Sequence, residues 1–210
     1  MRESVLLLRE TLGVQPLPYI DPVARWIVYV PLIVFVLAEQ RTRWRSLFNR
    51  AGTRRDDGSF VVIVVCIIAG VGGAAALAGV VTGASIREGR WPLVIAGAVL
   101  MWFGIVLRQW AVLALGRFFT VDVRIAADQT VVDSGPFAWV RHPSYTGLLL
   151  TLIGFALALG NWLALIVAIV LPVIGILARI RVEERALLDG LGDPYRRYAA
   201  GHKRLIPHVW

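Results

Sequence analysis

Apolar runs long enough to cross a bilayer dominate this chain and restrict the folds open to it. A spanning helix needs about 20 predominantly apolar residues, and windows of that kind lie at 22–38, 60–82 and 91–115. A fourth run, 146–178, is too long for one crossing, and Gly160, Asn161 and Trp162 interrupt it near its middle. It reads as a tight helical hairpin whose short arms sit at the lower limit for spanning, with Pro172 a kink in the second. Hydrophobic residues make up 58% of the 210, more than a single soluble core of that size would bury. The expected fold class is therefore an all-α integral membrane protein of about five transmembrane helices, followed by short cytoplasmic C-terminal helices.

The formal net charge of +8 comes from 22 basic residues that cluster between the apolar runs. Such clustering suits lipid head groups and the positive-inside rule; no basic stripe with interleaved aromatics stands free of an apolar segment, so nucleic acid is not an expected partner. Three regions hold most of the charge: the first loop with Arg41, Arg43, Arg45, Arg50, Arg54 and Arg55, the third loop with Arg117, Arg124 and Arg141, and the tail from Arg179 to Arg204. Retaining them on one side predicts a multi-pass protein with its N-terminus outside and its C-terminus in the cytoplasm. The stretch from Met1 to Pro18 is too short and too acidic in its apolar patch for a signal peptide, and reads as an interfacial segment. Cys66 is the only cysteine and falls in an apolar run, where a packing role is expected. His142, His202 and His208 lack metal-ligand spacing, so no metal site is predicted.

The second window carries Gly70, Gly72, Gly73, Gly79 and Gly83, the last two in small-xxx-small spacing, which predicts close helix packing, with a partner in the same chain favoured over a second copy. Polar residues of interest fall around the last three spans. Arg108 lies deep in the third window, where an ionisable side chain costs about 2.5–3.5 kcal/mol unless it is paired, wetted or snorkels to the surface. The loop from Gln129 to Tyr145 contains a Gly135-Pro136 turn, and Pro143 can start the next helix. Arg141 and His142 then stand at a positively polarised helix start, either as an anion seat or simply as a retained charge and a cap. Arg179 and Glu183 are four apart on one helix face, either as a surface ion pair or as a pair of ligand-binding charges. Beyond them, Leu187 and Leu188 suggest a short amphipathic helix before a turn at Gly192, and Tyr195 and Tyr198 can line one surface of the helix that follows.

These residues resemble the isoprenylcysteine carboxyl methyltransferase family and its relatives, the phospholipid methyltransferases. The resemblance runs from Leu107, Arg108, Leu115, Gly116 and Phe119 through Ser134, Gly135 and the run Arg141 to Tyr145. It continues at Gly147, Gly154, Arg179, Glu183, Glu184, Leu187, Gly192, Tyr195, Tyr198 and Pro207. It implies two regions: 1–115, with the interfacial segment and three spans, and 116–210, a catalytic region with a cofactor loop, the hairpin and the C-terminal helices. It also implies an S-adenosylmethionine pocket in which Gln129, Thr130, Val131, Val132, Phe137, His142, Pro143, Ser144, Tyr145 and Glu183 contact the cofactor. Arg179 and Glu183 would be catalytic, and Arg179 with Arg108 would bind the acceptor. Phe137 replaces the family's frequent tyrosine, which removes a hydroxyl contact, and Val131, Val132 and Asp133 replace a more usual Leu-Val-Thr.

The implied reaction makes physical sense for such a site. Transfer of a methyl group from a sulfonium to a carboxylate neutralises opposite charges, which a dry site favours. An acceptor carboxylate is already ionised at neutral pH and needs no base. Arg179 would orient it, Glu183 would grip the cofactor, and His142 at its helix start would take the methionine carboxylate. The acceptor would be a prenylated or otherwise lipophilic molecule reaching the site from among the membrane lipids. The alternatives are a phospholipid or amine N-methyltransferase and an NADPH-dependent reductase of the sterol type. An oligomer cannot be read from this sequence.

Overall fold

The computed structural model describes residues 15–48, 53–54 and 58–210. The expected interfacial segment therefore lies outside the described residues up to position 14. A short helix α1 (Leu17–Ile20) leads into α2 (Pro22–Phe48), then α3 (Ser59–Val80), α4 (Arg90–Leu115), α5 (Pro143–Leu159), α6 (Trp162–Leu191) and α7 (Asp193–Gly201). The architecture is all-α, apart from two-residue strands β1 (Thr53–Arg54) and β2 (Arg124–Ile125), which pair antiparallel.

Local chemistry sets the helix ends. Asp21 Oδ1 accepts the Ala24 N–H at 2.9 Å, and Pro22 follows at the first position, where no N–H is needed. The hairpin turns at Gly160, whose φ of 61° is open to glycine. Asn161 then caps α6 by accepting from Leu163 N and Ala164 N, both at 3.0 Å.

Four helices are long and apolar enough to cross a membrane, spanning Pro22–Ser46, Ser59–Val80, Arg90–Phe118 and Trp162–Leu191, while α5 has only 17 residues. The hairpin arms are thus unequal, against the expectation of two short ones: α6 runs for 30 residues. Its polar end, Arg179 to Leu191, is rich in strong helix formers, and the glycine within it, Gly190, does not interrupt it before Gly192, so leaving the apolar run does not end the helix. The separate amphipathic helix expected around Leu187 and Leu188 is the last part of α6, and Pro172 lies inside that helix without ending it.

Small residues decide the packing, including Gly70 and Gly73 of the second window, but not the Gly79 and Gly83 pair. On α4 and α5 two glycines seven apart face two others: a Cβ on Gly104 would fall 2.5 Å from Gly147 O, and one on Gly154 would fall 2.5 Å from Gly97 O. On α3 and α6, Gly70 lies against Pro172 and Gly175 against Cys66, which fills a packing role. Gly79 instead meets the Tyr19 ring, and Gly83 lies beyond α3 with open space at its Cβ position. Outward-facing Val65, Ile68, Val99, Phe103, Val106, Ile166 and Val170 are exposed, which gives the spans an apolar exterior suited to acyl chains.

Candidate active site

Segments far apart in sequence meet at one end of the helix bundle. Val121 N–H donates to Ser46 Oγ at 2.8 Å, Arg179 Nη1 to Ser59 Oγ at 2.8 Å, and Arg141 N–H to Lys203 O at 2.8 Å. Between these contacts lies a cavity of about 270 Å³. One wall is apolar: Phe60, Ile63, Val64 and Ile67 line it from α3 at i, i+3, i+4, i+7 spacing. Gln129 to Val132 and Phe137 line it from the loop, and Tyr195 and Tyr198 from α7.

Arg179 and Glu183 do not form a surface pair. Arg179 is 4% exposed, and the Tyr145 hydroxyl stands between the two, donating to Glu183 Oε2 at 2.8 Å and accepting from Arg179 Nε at 3.4 Å. Arg179 Nη2 also donates to Val121 O at 2.5 Å. The fork is therefore fixed by α3, the loop and α5 together.

Arg108 is buried and paired, and does not reach for the surface. Its Nε and Nη2 lie 2.5 and 2.6 Å from the two carboxylate oxygens of Glu39, and its Nη1 donates to Ser144 O at 3.1 Å. A bidentate partner is what a charge at this depth requires. Glu39, which also lines the cavity, was missed in the sequence. It is the one carboxylate between Pro22 and Phe48, so the demand of Arg108 for a counter-charge was the signal available.

Glu184, likewise unassigned, gathers three basic groups. It accepts from Arg204 Nε and Nη2 at 3.1 and 2.9 Å, and its Oε1 lies 2.9 Å from Arg141 Nη1 and 3.2 Å from His142 Nε2. This carboxylate holds the Arg204 guanidinium above its ordinary range. His142 is thus engaged at its ring, and its backbone N–H donates to Arg204 O at 2.9 Å. In the same first turn, Tyr145 and Thr146 N–H both donate to His142 O, and Pro143 has no N–H. The helix start is therefore largely satisfied from within rather than open as an anion seat.

Tyr195 is buried at 4% exposure, not an interfacial aromatic. Its hydroxyl is pushed up from its ordinary pKa by burial, with Glu184 and Glu183 adding to the shift. Tyr198, raised mainly by burial, donates to Phe137 O at 2.7 Å and ties α7 to the loop.

Of the residues expected at the site, Arg108, Gln129, Thr130, Val131, Val132, Phe137, His142, Ser144, Tyr145, Arg179 and Glu183 all line this one cavity. Pro143 does not; it is buried at the first position of α5 and serves to start that helix. No group of three or more His, Cys, Asp or Glu able to hold a metal occurs among the described residues.

The model of the isoprenylcysteine carboxyl methyltransferase family matches residues 97–189, a stretch that contributes Arg108, the loop, Tyr145, Arg179 and Glu183 to the cavity. That segment belongs to the isoprenylcysteine carboxyl methyltransferase family. Among similar proteins, a protein-S-isoprenylcysteine O-methyltransferase of Xenopus laevis is 34% identical over 124 residues, covering 58% of this chain and 41% of that one. One from Saccharomyces cerevisiae is 33% identical over 106 residues, covering 50% of this chain and 44% of its own length. The structure of a eukaryotic intramembrane Ras methyltransferase of the family superposes with a TM-score of 0.57 at 26% identity, covering 70% of this chain and 52% of that one. The chain therefore spans about half the length of these relatives or less. Glu39 and the apolar wall from α3 lie outside the segment matched to the family.

Proposed function

We propose that the chain is a membrane-embedded methyltransferase that uses S-adenosylmethionine to esterify the carboxylate of an isoprenylcysteine-like or other lipophilic acceptor. The observation that carries this reading is the Arg179–Tyr145–Glu183 cluster, set in a cavity with one apolar wall and formed largely by the family segment.

The residues present fit such a donor. Val131, Val132 and Phe137 offer apolar surface for a nucleoside base, and Gln129 and Thr130 offer polar atoms beside it. Glu183, steadied at one oxygen by Tyr145, presents a carboxylate to ribose hydroxyls or to an ammonium group. His142, Ser144 and Tyr145 complete that side of the cavity. When bound, S-adenosylmethionine supplies a methyl group on a cationic sulfur.

Arg179 then holds the acceptor carboxylate. Its guanidinium has five donors in a rigid fork, and its bonds to Ser59, Val121 and Tyr145 fix its direction before an acceptor arrives. Arg108, anchored by Glu39, keeps a second cation on the acceptor side. Burial of these groups limits water, which strengthens attraction between opposite charges at the reacting centre. The protein's part is positioning, because the ionised acceptor needs no general base. The α3 face at Phe60, Ile63, Val64 and Ile67 receives the acceptor's lipid portion, and the Arg-rich end of the bundle, with the cavity, faces the cytoplasm.

Calorimetry on the purified protein in detergent tests the cofactor: S-adenosylmethionine should bind and NADPH should not. Incubation with labelled donor and prenylcysteine analogues should then give a product whose label is released by mild base, as an ester requires. NADPH binding in place of S-adenosylmethionine, or a base-stable product, would overturn the reading.

A further inference from the structure

A carboxylate of the protein already occupies one of the cavity's cations. Arg108 turns Nε and Nη2 toward the two oxygens of Glu39, at 2.5 and 2.6 Å, and gives Nη1 to Ser144 O at 3.1 Å and to Ser144 Oγ at 3.4 Å. Every nitrogen of the guanidinium is therefore engaged, and the edge that grips a carboxylate or a phosphate by two parallel bonds is taken. Both partners line the cavity, and Glu39 is the more open of the two, with side-chain exposures of 24% against 10%. What fills this edge decides what the cavity accepts on that side.

Lipid lies one helix away. α2 packs on α4, and α3 packs on α6. Both α2 and α3 contribute to the cavity wall, and across the seam between them the Arg43 guanidinium stands 5.7 Å from the centre of the Phe60 ring. On the face of α2 turned away from Glu39, Val30, Ile33 and Leu37 are exposed, a surface for acyl chains. An arginine at this depth needs an anion. Where the protein provides none, the anion at hand in a bilayer is a phospholipid phosphate, which matches the same two-bond edge. Glu39 stands outside the family segment 97–189.

We propose that Glu39 is a specificity-determining residue: filling the Arg108 edge from within the protein, it keeps anionic phospholipid head groups off the acceptor side of the cavity and leaves acceptor carboxylates to Arg179. The assignment rests on the methyltransferase reading given above. Removing the charge of Glu39 opens a phosphate seat beside the acceptor, and membrane lipid then competes with it.

The test uses nanodiscs of phosphatidylcholine and nanodiscs of equal parts phosphatidylcholine and phosphatidylglycerol. KM for a prenylcysteine analogue is measured on the wild-type protein and on Glu39→Gln. Surface potential repels an anionic acceptor from both alike, so the difference between them isolates the seat. Phosphatidylglycerol should raise KM of the variant about tenfold more than that of the wild type. It should also raise the Tm of Glu39→Gln more than that of the wild type or of the double variant Glu39→Gln with Arg108→Gln, which lacks the guanidinium edge. A lipid response of Glu39→Gln equal to that of the wild type, in KM or in Tm, would overturn the role. Should Glu39→Gln not fold, Glu39→Asp, one methylene too short to fill the edge, should show the same changes in smaller measure, and a wild-type response there overturns the role as well. Absence of turnover by the wild type in both lipids would remove the methyltransferase reading, while Tm still decides whether Glu39 closes the seat to phosphate.

Discussion

Arg179 shows how a charged side chain can be both buried and ready. Its contacts reach Ser59 on α3, Val121 in the loop and Tyr145 on α5, so its fork is oriented by three separate pieces of backbone. Lysine keeps the charge but offers no planar fork. Arg179→Lys should therefore lower single-turnover methyl transfer by about 10²-fold while changing donor affinity less than about twofold; paired turnover and binding measurements check this, and retained turnover would remove the role. Four-residue spacing put Arg179 and Glu183 on one helix face and the family resemblance implied their roles, but the hydroxyl of Tyr145 that joins them comes from 34 and 38 residues away. No local pattern encodes such a bridge. Glu39 and Glu184 were hidden for a related reason: each is defined by donors far along the chain, Arg108 in one case and Arg141, His142 and Arg204 in the other.

Helix ends and contacts differ in how plainly they are written. Apolar windows located the four helices long and apolar enough to cross a membrane, because length and hydropathy are local properties. The extent of α6 was misjudged because polarity changes at Arg179 while helix propensity does not. In the second window Gly70 and Gly73 do meet α6, but the small-xxx-small pair Gly79 and Gly83 does not: spacing alone does not reveal which face meets a neighbour. In the structure the close approach is made by Gly97 and Gly104 against Gly154 and Gly147. A Cβ at Gly147 would lie 2.6 Å from Gly104 O and from Arg108 N, and rigid backbone cannot yield as a flexible side chain can. Gly147→Val should therefore destabilise the protein by about 1–3 kcal/mol, read as a lower Tm in detergent. It should also displace Arg108, which donates to Ser144 at the same crossing. A valine variant with wild-type Tm would contradict this packing.

At the scale of the whole molecule, the cavity end collects the segments that carry most of the basic residues. Loop residues meet the tail where Arg141 bonds Lys203, and α2 meets the third loop where Ser46 bonds Val121. Under the orientation proposed above, this end lies in the cytoplasm. That orientation predicts that, in a Cys66→Ala background, Arg197→Cys is labelled by an impermeant maleimide only after cells are permeabilised. Arg87→Cys, exposed near the opposite end, should be labelled in intact cells; the reverse pattern would invert the topology. The bond from Tyr198 to Phe137 joins residues 61 positions apart. At synthesis rates of about 5–20 residues per second, the ribosome adds the second partner about 3–12 s after the first. During that interval a nascent chain exposes half a cavity wall with nothing to close it, so capture of the proposed donor would await the late arrival of α7 and could not guide insertion of the earlier spans.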